Sequence, residues 1–146
     1  MTEVSFHFNV PDRLGYACRL LRKAVRRSAK VVVSAPDAVL TQFDRQLWVF
    51  EPLEFIPHVH AKAGKPLAPR LARTPVWLSH EVDAAPHHEV LVNLGEALVP
   101  GFERFSRVIE LVGRDEAERQ AARARWKHYA DRGYTISRHD VAVEGG

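Results

Sequence analysis

The sequence predicts a single α/β domain: a mostly parallel central sheet flanked by helices, with no nucleotide-binding loop. Three observations carry this. An alternating strand opens the chain, an amphipathic helix with an acidic cap follows, and a β-branched run typical of a doubly buried strand comes next, ahead of a second helix. Strand, helix, strand, helix in that order calls for parallel strands joined by right-handed crossovers. The 146 residues suit one core, so residues 1–146 are read as one domain.

Each element has its own signal. "VSFHFNV" sets Val4, Phe6, Phe8 and Val10 against polar neighbours, the period of a strand. Pro11-Asp12 ends it, and Asp12 is placed to cap a helix reaching Ala29. In that helix Leu14, Ala17, Cys18, Leu21 and Val25 recur at three and four, while Arg19, Arg22, Lys23, Arg26 and Arg27 crowd the other side. "KVVVSA" reads as a strand buried on both faces. Pro36-Asp37 opens a second helix, Ala38 to Trp48, whose buried side is Val39, Leu40, Phe43, Leu47 and Trp48. Ala61 to Pro75 holds three prolines, a glycine and four cations, the composition of an exposed loop within the domain. "VWLS", "VLVNL" and "FSRVIELV" are three further strands, with a turn or short helix in "GEALVPGFER". A last helix opens at Asp115, and "YTISRHDV" is a final edge strand.

Composition narrows the function. Net charge is +3 and apolar residues make up 46%, ordinary values for a globular chain and too weakly basic for a dedicated nucleic-acid binder. The lone Cys18 has no partner for an internal disulfide and reads as a buried structural thiol in a reducing compartment. "MTEVSFHFNV" lacks the basic start and apolar core of a signal peptide, and no apolar run is long enough to span a bilayer. A soluble, cytoplasmic protein without membrane contact is expected.

Chemical motifs are sparse. The turn after the first strand, "NVPDRLGYA", has neither G-x-G-x-x-G nor a P-loop, so it offers no glycine-rich amides to a phosphate. His58, His60, His80, His87 and His88 lack the spacing of a metal site and read as solvated or hydrogen-bonding side chains. Ser34 and Ser79 end strands without a nucleophile elbow. No enzyme, cofactor or metal is expected.

The stretch "RQAARARWKHYADRGY", Arg119 to Tyr134, stands out. Asp115, Glu116 and Glu118 occupy the first turn of its helix and cations the rest, which suits the macrodipole. Arg119, Arg123 and Lys127 step along one stripe at i, i+4 and i+8, with Trp126 on the same arc. Ala121, Ala122, Ala124 and Tyr129 are left to pack on the sheet. A row of cations beside an indole can grip a carboxylate and an apolar side chain, stack single-stranded bases, or be a solvated face.

Two segments carry a resemblance. "LWVFEPLEFIPH", Leu47 to His58, and "ARARWKHYADRGY", Ala122 to Tyr134, are similar to the chi subunit family of bacterial DNA polymerase III, and the order of elements agrees over nearly the whole chain. The resemblance implies a Rossmann-like domain without nucleotide or catalysis, a monomer on its own, with two protein partners. One is the psi subunit, which ties chi to the clamp loader. The other is the acidic C-terminal tail of single-stranded DNA-binding protein, ending in Ile-Pro-Phe, so that contact with nucleic acid is mainly indirect. Carried over by position, the tail-binding residues are Val112, Arg119, Arg123, Trp126 and Lys127, and the psi-binding residues are Trp48, Phe55 and Ile56. The family often has tyrosine where this chain has Trp126, which keeps the apolar wall but not the phenolic hydroxyl. The alternative is a protein that binds single-stranded nucleic acid directly through the same helix.

Overall fold

The computed structural model describes residues 2–50, 55–62 and 69–142. Strand β1 (Glu3–Val10) leads into helix α1 (Arg13–Arg26), then β2 (Val31–Ser34), α2 (Asp37–Phe50), β3 (His58–Ala61), β4 (Val76–Ser79), β5 (Val90–Asn93), β6 (Arg107–Gly113), α3 (Glu116–Asp131) and β7 (Thr135–Asp140). The seven strands form one sheet in the order β3-β4-β2-β5-β6-β1-β7, and every pairing is parallel. The expected α/β architecture is therefore present, all-parallel rather than mostly so.

Two apolar layers enclose the sheet. Val31, Val33, Leu78, Val92 and Leu111 pack under α1 and α2 with Leu21, Leu40 and Phe43. Val4, Phe6, Val32, Leu91 and Val108 pack under α3 with Ala122 and Tyr129. Strand alternation makes this split, since odd and even residues of one strand face opposite layers. The "VVVS" run is buried on both faces for that reason. Cys18 is fully buried in the first layer, and burial, with the charge of Asp12 adding, pushes its thiol up to about 11, as befits an inert core group.

Asp12 caps its helix as expected, and Asp115, read as a first-turn residue, is the cap of a helix that starts at Glu116. Asp12 accepts from the Gly15 amide at 3.2 Å, and Asp115 from the Glu118 amide at 3.4 Å. The first amides of α1, where dinucleotide folds seat a phosphate, thus face a carboxylate. Arg13 of α1 and Glu118 of α3 meet at 2.9 Å beyond the C-terminal ends of β1 and β6. Gly113 makes room for them, because a Cβ there would lie 2.0 Å from a Glu118 carboxylate oxygen.

Several boundaries differ from the sequence expectation. Helix α1 ends at Arg26, where Ser28 takes a left-handed φ of 62° and the Arg27, Ser28 and Ala29 amides fold back onto the last carbonyls. Helix α2 extends to Phe50, two residues past Trp48. Strand β3 was not foreseen; half-buried on the sheet edge, it lacks a clean apolar alternation. It absorbs Ala61 from the expected loop, and Pro69–Arg73 is a short 3-10 helix; the rest of that loop, 63–68, lies outside the described residues. No helix among the described residues is long and apolar enough to cross a membrane.

Candidate functional site

Helix α3 is held in one rotational setting by a buried polar cluster. Glu110 of β6 is fully buried, and its carboxylate accepts from Arg125 Nε at 2.9 Å, Asn93 Nδ2 at 3.0 Å and the Tyr129 hydroxyl at 2.6 Å. Burial pushes the Glu110 carboxyl upward, against the Arg125 charge and the three hydrogen bonds, which favour the ionised form. Burial and Glu110 together push the Tyr129 hydroxyl up, so it stays a donor. Ala122, Arg125 and Tyr129 are the buried residues of α3. By sequence Arg125 is one more cation of this helix, and it is the one that faces the core. Ala124, expected to pack on the sheet, is exposed instead.

That setting decides where the other cations point. At about 100° per residue, Trp126 and Arg119 flank the buried face, Arg123 lies further out, and Lys127 is turned nearly opposite to it. A groove of about 570 Å³ runs between α3 and strands β1 and β7. Val112, Arg119, Arg123 and Trp126 line it, as do Phe6, Phe8, Asn9 and Arg138. Four of the five residues expected on this site are thus brought together. Lys127 is not among the lining residues, because the Arg125–Glu110 contact rotates it towards solvent.

The groove has an apolar floor and a charged rim. Trp126 packs on Phe6 with ring centroids 5.0 Å apart, and Phe6 also meets Tyr129 edge-on at 6.0 Å. Arg119 donates to Asn9 Oδ1 at 2.8 Å. Asn9, with a left-handed φ of 61° where β1 departs from its register with β6, donates in turn to Asp140 of β7 at 3.0 Å. One carboxamide therefore couples α3 to both strands. Arg123 is exposed and pairs with Glu116 at 3.3 Å. Asn9 and Arg138 carried no sequence signal: the first looked like the polar phase of a strand, and the second sat on a short edge strand whose neighbour was unknown.

A second surface lies at the end of α2. Trp48 is 58% exposed, Val49 74% and Phe55 66%, and these are the exposed large apolar side chains among the described residues. Periodicity alone puts Trp48 on the buried side of its helix, whereas the resemblance expects it on a surface, and it is outside. Its ring lies 5.5 Å from that of Phe55 and 4.8 Å from that of His58. His58 is fixed behind it by Asp44 at 2.9 Å and by the Ile56 carbonyl at 2.7 Å. Ile56, also expected on this surface, is only 4% exposed and belongs to the core under α2. Ile56 therefore belongs to the apolar layer with Leu40, Phe43 and Leu47 and is not a surface residue of the patch.

Three further histidines hold local structure: His80 bonds the Ala35 carbonyl, His87 that of Thr74 and His88 that of Val82, while His60 Nε2 lies 4.0 Å from Asp37. Among the described residues no group of three or more His, Cys, Asp or Glu converges as metal ligands do.

Comparison with known proteins places the chain among relatives of one description. Residues 1–137 match the family model described as DNA polymerase III chi subunit, HolC. The chain is 38% identical to the DNA polymerase III subunit chi of Pseudomonas aeruginosa over 146 residues, covering 95% of this chain and 96% of that protein. It is 28% identical to the subunit of the same name from Haemophilus influenzae over 129 residues, 86% of this chain and 85% of the other.

Proposed function

The chain belongs to the DNA polymerase III chi subunit family, and on that premise we propose that it is a non-catalytic replication adaptor with two docking surfaces. The groove of α3 takes the acidic C-terminal tail of single-stranded DNA-binding protein. The patch of Trp48 and Phe55, extended by Val49, takes the psi subunit and through it the clamp loader.

One observation carries the first assignment: the groove joins a row of guanidinium groups to an aromatic floor. An acidic peptide ending in phenylalanine needs both. Arg123 can fork onto the terminal carboxylate, Arg119 can attract upstream acids, and Trp126 and Val112 can wall the terminal ring. Base stacking fits less well. One side of Trp126 is taken by Phe6, and the Arg138 guanidinium lies 5.8 Å from its ring centre. The second assignment is supported by the exposure of three large apolar side chains between positions 48 and 55, the kind of patch that marks an interface.

The test is a pair of titrations at physiological salt, one with a peptide ending in Asp-Ile-Pro-Phe and one with bare single-stranded DNA. The adaptor reading expects the peptide to bind and the DNA to bind weakly, since few cations face one way. Tight DNA binding that is lost on Trp126→Ala, with no peptide affinity, would overturn it in favour of direct nucleic-acid binding.

A further inference from the structure

The cations around the groove are not equivalent. Arg125 is committed to Glu110, Arg123 meets Glu116, and Arg119 meets Asn9. Arg138 has no acidic partner and no hydrogen-bond acceptor among the described residues. Its guanidinium instead lies over the Phe8 ring, 5.0 Å from the centroid, and beside Trp126 at 5.8 Å.

Register explains its place. Arg138 is the β7 partner of Phe6, so alternation puts it on the α3 side of the sheet with Phe6 and Phe8. Cation–π contact of this kind is electrostatic and needs no hydrogen-bond acceptor. The guanidinium carries five N–H donors, and among the described residues the rings place the group without an acceptor taking up those donors. The rim of the groove therefore has a cation on the strand side, opposite those of the helix.

We infer that Arg138 is a further specificity-determining residue of this groove, a strand-side anchor for a side-chain carboxylate of an acidic peptide whose terminal carboxylate is held from the helix. The inference rests on the reading of the groove as a peptide-binding site. It assigns the peptide two separated carboxylates, one on each wall, with the apolar side chain between them over Phe6 and Trp126.

The experiment is a cycle of protein and peptide variants read by calorimetry or anisotropy. The peptide ends in Asp-Ile-Pro-Phe and is compared with its Asn-Ile-Pro-Phe counterpart, each with a free terminus. Arg138→Gln should weaken the Asp peptide by about threefold to tenfold, as loss of one partly screened charge-assisted contact does, and should leave the Asn peptide nearly unchanged. Arg138→Lys, which keeps the charge without the planar fork, should fall between. The exposed edge position makes both variants expected to fold, which circular dichroism checks. Equal binding of the Asp peptide by the wild type and Arg138→Gln, with Arg123→Ala still impaired, overturns the role of Arg138 and leaves the groove reading standing. Failure of the wild type to bind either peptide removes the groove reading itself.

Discussion

Asn9 and Arg119 stand 110 positions apart, yet the Asn9 carboxamide accepts a 2.8 Å hydrogen bond from the Arg119 guanidinium. A neutral acceptor orients the cation without cancelling its charge. Asn9→Asp would cancel it, and tail-peptide affinity should fall by about threefold or more through the lost attraction. Asn9→Gly keeps the left-handed backbone and removes the carboxamide, so the fold should persist while Arg119 loses its orientation and affinity falls less. Peptide titration of both variants checks the order; a tighter-binding Asn9→Asp would contradict it.

Arg123 and Glu116 make an exposed pair at 3.3 Å. If Arg123 is the anchor for the terminal carboxylate, Glu116 is its competitor in the free protein. Arg123→Ala should weaken the peptide at least about tenfold, in line with roughly 1.5–3 kcal/mol for a hydrogen bond to a charged group. Glu116→Gln should strengthen it by about twofold. Lys127→Ala should change little, because Lys127 faces away from the groove. Amidating the peptide terminus should mimic Arg123→Ala, and amidated and free peptides that bind alike would refute the anchor.

Arg125 is expected to matter for stability more than for charge at the surface. Arg125→Ala strands the Glu110 carboxylate in the core, at a cost of about 3–5 kcal/mol. Replacing both members, Glu110→Leu with Arg125→Met, should recover much of that, since no unpaired charge remains. Urea denaturation of the single and double variants measures the difference.

Trp48 and Ile56 should separate cleanly. Trp48→Ala removes an exposed ring and should weaken psi association while leaving stability and tail affinity near wild type. Ile56→Ala opens a cavity in the core and should cost about 2–5 kcal/mol of stability. A large loss of stability in Trp48→Ala would return that residue to the core.

His7 supplies a pH dependence. Burial, with help from the neighbouring His139 and Arg107 charges, pushes its pKa down to about 4 from 6.5, and its Nδ1 meets the Tyr16 hydroxyl at 2.5 Å. A depressed histidine value means the folded state prefers the neutral ring. Its contribution is therefore fully present above about pH 6.5 and declines as pH falls from there towards 4. The stability difference between wild type and His7→Gln should shrink over that window, while a difference independent of pH would rule out titration of His7.

Much of this molecule is legible in the chain itself because the signals are local. Val4, Phe6, Phe8 and Val10 announce a strand by their period, Asp12 and Asp115 announce helix starts by hydrogen bonds that span three residues, and the Leu47–His58 and Ala122–Tyr134 stretches point to the family. What only the tertiary structure decided concerns partners far away in sequence. Arg123, Arg125 and Lys127 are all cations within five residues of one helix, and periodicity alone does not say which is buried. Glu110 decides it, because a charge enters the core only where an opposite charge and further donors already wait. In the same way Arg138 is an ordinary edge residue until β7 pairs in parallel with β1 and sets it beside Phe6 and Phe8. Strand order is fixed by the packing of whole layers, and no residue on β7 encodes its neighbour. Trp48 and Ile56 show the same division: both are large and apolar, and only the assembled layer under α2 shows that Ile56 is inside it and Trp48 outside.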